Sequence, residues 1–129
     1  MAKLRAIVQL QGKDFKVISS HFEFSRKTDS KGRPITGIAG GRMTLTIESD
    51  KDTSIVETML NYSYKPLSGR LIFYESDDGS LVRAIDFRCA YLVHYKEDFY
   101  SKREQQLIVT FTFSADIMII GDALLNNSW

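Results

Sequence analysis

Hydrophobic alternation with a period of two residues runs through most of this chain and decides what it can become. Leu4, Ala6, Val8 and Leu10 alternate with Arg5, Ile7 and Gln9, the pattern of a strand with one buried face. Gln11–Asp14 supplies a turn, and a second strand is expected from about Phe15 to Ser25. So short a loop implies an antiparallel hairpin. In that second strand Ile18, Phe22 and Phe24 are expected to share a face with Ser20, while Val17 and His21 look the other way. Alternation resumes with Met43, Leu45 and Ile47 against Arg42, Thr44, Thr46 and Glu48, and again from Leu71 to Glu75. Asp78-Gly79 is the strongest hairpin-turn signal, and a long strand returns from Leu81 to about Tyr95. There Ile85, Phe87, Cys89, Tyr91, Val93 and Tyr95 fall on one face, and Asp86, Arg88, Ala90 and His94 on the other. Beyond an expected polar loop at Lys96–Arg103, Leu107, Val109, Phe111 and Phe113 alternate once more, and the tail from Asp122 to Trp129 reads as irregular.

Two segments depart from that period. One carries helical spacing: Asp52, Thr53 or Ser54 can cap it, and Ser54 with Glu57 fits a capping box. Ile55, Val56, Met59 and Leu60 then form an apolar stripe, and Pro66 and Gly69 lie past the end, predicting a helix over about 53–63. The other, Lys27–Gly41, is turn-rich and aperiodic, and loops of that length in small proteins are often functional. The fold class expected is mainly β: an antiparallel β-barrel or sandwich of about seven to nine strands with one flanking α-helix. With no linker, repeat or low-complexity tract, residues 1–129 are expected to form a single domain.

Several function classes recede on composition alone. Seventeen basic against sixteen acidic side chains give +1, without the electrostatic footprint of a general nucleic-acid binder. One cysteine cannot form an internal disulfide. The first residues are alternating and polar, with no apolar signal region, and Asp116 interrupts the late apolar run before Ile117–Ile120. The expectation is a chain that starts in the cytoplasm with no membrane insertion.

Catalytic and ligand-binding patterns fare no better. His21 and His94, the two histidines, both sit in strand patterns, and there is no Gly-x-Ser-x-Gly elbow beside Ser19 or Ser20. Asp86, Arg88 and His94 share a face and read as an ion-pair strip more readily than as catalytic machinery. Two histidines and one cysteine never reach metal-ligand spacing, and Ser76–Gly79 lacks the ligand series of a calcium loop. Cys89 reads as a small buried hydrophobe, and Phe87, Tyr91, Tyr95 and Phe99 as packing rather than a base-stacking platform. No enzyme activity, metal or cofactor is expected. A second apolar parity at Ile7, Val17, Ile72, Tyr74 and Ile108 suits burial between subunits, and Thr44, Thr46, Thr110 and Thr112 suit a wettable wall.

Taken in order, two stretches are diagnostic: Thr28-Asp29-Ser30-Lys31-Gly32-Arg33-Pro34 followed by Gly40-Gly41-Arg42-Met43-Thr44-Leu45-Thr46-Ile47-Glu48-Ser49, and Phe87 through Phe99. In order and spacing the chain resembles the Hcp-like (TssD) family, the inner-tube proteins of bacterial type VI secretion systems, from about Leu4 to Trp129. Where members of that family often carry Trp before the helix Met, this chain has Thr58 before Met59. The resemblance implies a β-barrel with one flanking helix, assembled as a homohexameric ring whose stacks form a tube. It implies partners in the sheath, spike and baseplate proteins, effectors carried in the lumen, and release from the cell when the sheath contracts. It also implies that Thr28, Asp29, Lys31, Gly32, Arg33, Pro34, Gly40 and Gly41 belong to a loop that meets a neighbouring subunit or ring. A small β-barrel binding module for a ligand or oligonucleotide is the alternative.

Overall fold

The computed structural model describes residues 3–49, 52–61, 66–101 and 106–127. Seven strands and one helix follow in the order β1 (Leu4–Leu10), β2 (Lys13–Phe22), β3 (Arg42–Glu48), α1 (Ser54–Asn61), β4 (Leu67–Glu75), β5 (Leu81–Tyr100), β6 (Gln106–Ile120) and β7 (Ala123–Asn126). All neighbouring strands are antiparallel, in the order β3-β2-β1-β4-β5-β6-β7. A further ladder between β3 and β6, from Arg42↔Ser114 to Glu48↔Ile108, closes six of the strands into a barrel. Strand β7 continues along the same edge of β6 beyond the end of β3, pairing Ile117↔Asn126 through Ile120↔Ala123. Closure removes most of the exposed edge that an open sheet carries.

Alternation fills the barrel. Val8, Leu10, Met43, Leu45, Ile47, Leu71, Ile85, Phe87, Val109, Phe111, Phe113 and Met118 point inward and are all but inaccessible. At the centre the Phe87 and Phe113 rings lie 4.2 Å apart, tilted by 32°. Gly69, on β4, leaves the space that the Phe87 ring occupies: a Cβ there would meet the ring and the Gln9 carbonyl. The interior is thus packed with side chains among the described residues.

Bulges reset the alternation in three places where unbroken parity was expected. Between Val17↔Ile47 and Ser19↔Thr46 the β2–β3 register shifts by one residue at Ile18. Val17 and Phe22 therefore pack on the core, while Ile18 and His21 face out, reversing the expected faces of the first half of β2. On β5 the ladder to β4 shifts between Leu67↔Ala90 and Gly69↔Phe87, and Cys89 takes φ 52°. Cys89 is consequently exposed, not buried, and Ala90 takes the inward place. A third shift, between Leu92 and His94, sends Tyr95 inward again.

Other boundaries move outward. The expected polar loop at Lys96–Arg103 is strand as far as Tyr100, with 102–105 outside the described residues. The expected irregular tail contains β7, with 128–129 outside. Helix α1 ends at Asn61 rather than near 63, residues 62–65 lying outside the description. Its buried positions are Ile55 and Thr58, and Leu60 stays 75% exposed. The Thr58 hydroxyl donates to the Ser54 carbonyl at 2.8 Å and accepts from Gln11 Nε2 at 3.2 Å, so a satisfied polar group takes the inward place.

Candidate subunit interface

Between β2 and β3 the chain leaves the barrel as a two-stranded arm. Ser25 and Ala39 exchange both backbone hydrogen bonds, at 2.9 and 2.7 Å, and Thr28 bridges to Pro34 further out. The Ile35 amide donates to the Lys27 carbonyl at 2.9 Å, and the Lys27 amide to Thr36 Oγ1 at 3.0 Å. Asp29 builds the tip. One of its carboxylate oxygens accepts the Lys31 and Arg33 amides at 2.9 and 3.0 Å, and the other accepts Arg33 Nε at 3.0 Å. These bonds, led by the Arg33 amide, hold the Asp29 carboxyl below the usual carboxylate range. Gly32 supplies the left-handed turn residue, with φ 84°. An Asx-closed tip ordered by its own chain loses little entropy on docking.

The two glycines at the base serve a different end. Gly41 is buried with φ 102°, and its carbonyl accepts the Ala115 amide of β6 at 2.7 Å. The Asn127 side-chain amide donates to the carbonyls of Gly40, at 3.2 Å, and Ala115, at 2.9 Å. A Cβ on Gly40 would collide with the Phe24 ring. Of the residues singled out in sequence, then, Thr28, Asp29, Lys31, Gly32, Arg33 and Pro34 come together at the exposed tip. Gly40 and Gly41 pin the arm to the barrel. Asn127, which holds both sides of that joint, carries no sequence signal, because the tail shows no alternation of its own.

Two ladders stop short and leave open edges. β2 pairs with β1 only from Lys13 to Lys16, and from Val17 to Phe22 it pairs with β3 alone. β5 pairs with β4 only as far as Ala90, and from Tyr91 to Tyr100 it pairs with β6 alone. These stretches bound one contiguous four-stranded wall, β2-β3-β6-β5. The outer face of that wall is polar: Thr44 and Thr112 share a hydrogen bond of 2.9 Å, and Thr46 and Thr110 one of 3.1 Å. His21 and His94 flank the first pair in the same row of the ladder. Burial, followed by the Glu97 carboxylate that accepts its hydroxyl at 3.1 Å, pushes the Tyr95 phenol up to about 12.

Asp86, Arg88 and His94 do not form a cluster. Asp86 receives a forked contact from Arg70 of β4, at 2.6 and 3.3 Å, and bulges separate it from His94. Ile7, Ile72, Tyr74 and Ile108 are half-buried on the outer parity as expected, whereas Val17 packs inside. No group of three metal-ligating side chains occurs among the described residues, and no described helix is long and apolar enough to cross a membrane.

The sequence model of the family described as hemolysin coregulated protein Hcp (TssD) matches residues 2–129. The structure of Hcp1 from Flavobacterium johnsoniae superposes with a TM-score of 0.89 at 32% identity, over 95% of this chain and 99% of that one. Hcp1 from Salmonella typhimurium shares the fold at a TM-score of 0.70 and 12% identity, over 92% and 85% of the two chains. So does a chain from the sheath–tube complex of an extracellular contractile injection system, PVC, in its extended state, at 0.57 and 13%, over 92% and 89%. No curated protein matches the chain in sequence. By the match along its whole length and by its likeness to the Flavobacterium structure, this chain belongs to the Hcp (TssD) family, the tube proteins of type VI secretion systems.

Proposed function

We propose that six copies of this chain close into a ring, that rings stack into the inner tube, and that the tube is driven outward by a contracting sheath. The observation that carries the ring is the pair of open edges at the two ends of the β2-β3-β6-β5 wall. An unpaired edge is a template for another strand. Two different edges on one copy make a head-to-tail contact, which closes into a ring when the rotation per copy allows. The threonine face of the same wall then lines the pore and presents hydroxyls to water and cargo.

In this reading Thr28, Asp29, Lys31, Gly32, Arg33 and Pro34 touch a neighbouring copy, and Gly40 and Gly41 set the angle at which the arm leaves. The chain is a conduit without catalytic chemistry of its own. It assembles in the cytoplasm, meets sheath, spike and baseplate proteins, and carries effectors in the lumen. Electron microscopy of the purified chain should show end-on rings with six-fold symmetry and a central pore. Particles without a pore, or of another symmetry, would refute the reading. His94→Ala should leave such rings intact.

A further inference from the structure

Both histidines of the chain stand in one row of the threonine-faced wall. His21 of β2 pairs with Thr44 of β3, Thr44 with Thr112 of β6, and Thr112 with His94 of β5. Met43, Leu45, Phe111 and Phe113 fill the core, so the row on the opposite parity lies on the outer face. Both histidines are exposed there. They occupy the two ends of the row, His21 in the open stretch of β2 and His94 in the open stretch of β5. Within one copy they are three strand spacings apart, about 14 Å, too far to share an ion. Beside His21, the Glu23 carboxylate comes within 3.7 Å of Nε2, and both line an open groove with Ser25 and Arg42. Lys96, beside Thr110 in the adjoining row, is held by Asp98 at 3.3 Å.

Resting on the ring reading above, we propose that each junction between copies binds a divalent transition-metal ion of the zinc class through His21 of one copy and His94 of the next. Where the open edge of β2 lies against the open edge of a neighbour's β5, rotation about an axis along the strands keeps every row at its own height. The histidine row then runs on from copy to copy, and His94 comes opposite His21. Side chains directly opposite on adjacent strands have Cβ atoms about 4.5–5.5 Å apart. At that spacing two imidazoles each reach one ion at about 2.0–2.1 Å. Glu23 adds a carboxylate to the pair, and water takes the position that remains. Imidazole ligands suit zinc, nickel or copper, whereas calcium and magnesium want oxygen alone. The spacing of histidines along one chain excludes such a site, and among the described residues no three metal-ligating side chains gather in one copy. Assembly supplies what one copy lacks. The ring closes on its strand edges, and the ion clips neighbouring copies together.

The test uses zinc on the full chain, assembled and then freed of metal with a chelator. Light scattering reads ring mass, and calorimetric titration reads zinc bound. Rings should take up about one zinc per chain, and their melting temperature should rise with zinc concentration. His21→Ala and His94→Ala should each keep the ring and lose both the binding and the shift; His21→Gln and His94→Gln replace them where alanine disturbs assembly. Co-expressed in equal amounts, the two variants set an intact His21 against an intact His94 at about a quarter of the junctions, and about that share of the zinc should return. A site contained in one chain would recover none. Unaltered rings that take up no zinc, either variant binding as the parent does, or mixed rings that recover none would each overturn the proposal. A chain that forms no ring refutes the ring reading instead, and the ring mass separates the two failures.

Discussion

Gly41→Ala isolates what holds the arm at its angle. With φ at 102°, an alanine there sits in backbone territory that costs a residue bearing Cβ about 1–3 kcal/mol. The added methyl carbon would also stand 2.6 Å from the Ala115 carbonyl oxygen and 2.6 Å from Asn127 Nδ2. The first of these is backbone inside the β6 ladder and cannot swing aside, so overpacking adds about 1–3 kcal/mol. The lower entropy of the unfolded alanine chain returns about 0.4–1 kcal/mol. The net loss is centred on about 3 kcal/mol, or roughly 12 °C in Tm for a chain of this size. Gly12→Ala is the control: its φ is 77°, but nothing lies within 4 Å of the added carbon. Backbone strain alone, less the same entropy return, predicts a loss of about 1 kcal/mol there. Urea unfolding of both variants at one fixed protein concentration makes the comparison, because assembly shifts apparent stability by mass action. If Gly41→Ala loses no more than Gly12→Ala, the close approach of Gly41 to β6 does not limit stability, and the account of the arm base is wrong.

Further perturbations reach other parts of the fold. Phe113→Ala should cost about 3–5 kcal/mol in the same urea assay, because the ring is fully buried against Phe87; a loss below 1 kcal/mol would deny the filled interior. Asp52 accepts the Ser54 amide at 2.9 Å and pairs with Lys13 at 3.0 Å, which lowers its carboxyl from 3.8 to about 2. Its folded value is depressed, so its contribution is fully present above about pH 4 and is lost as pH falls toward 2. Thermal melts should therefore show Asp52→Asn less stable than the parent near neutrality, with the gap closing between pH 4 and 2; a gap that persists at pH 2 contradicts the pairing. Cys89→Gly should be neutral or stabilising and Cys89→Val destabilising by about 1–2 kcal/mol, because a φ of 52° disfavours a β-branched side chain. The opposite order would place Cys89 in an ordinary strand conformation.

Period-two alternation was enough to read the barrel class, the Asp78-Gly79 hairpin and the inward series Leu107, Val109, Phe111 and Phe113. It failed where a residue was inserted. A bulge changes which face the next side chains occupy, yet Ile18 and Cys89 look like ordinary strand residues when read locally. The extension of β5 to Tyr100 was hidden because Lys96, Glu97 and Asp98 are charged in succession and read as a loop, although they pair with Thr110, Val109 and Ile108 of β6. In α1, Thr58 displaces Leu60 from the inward side because Gln11 and the Ser54 carbonyl satisfy its hydroxyl, a solution that hydrophobic spacing cannot show. The arm was legible as an aperiodic, turn-rich stretch. What anchors it was not: Asn127 lies 87 residues from Gly40 in sequence, and only β7 brings it there.

Ring closure is the central claim, and native mass tests it most directly. Light scattering on a sizing column across a dilution series should give one species near six times 14.7 kDa that persists on dilution. A species of 14.7 kDa at every concentration would mean that the open edges of β2 and β5 do not recruit another copy, and the account of this chain as a self-closing ring would fail.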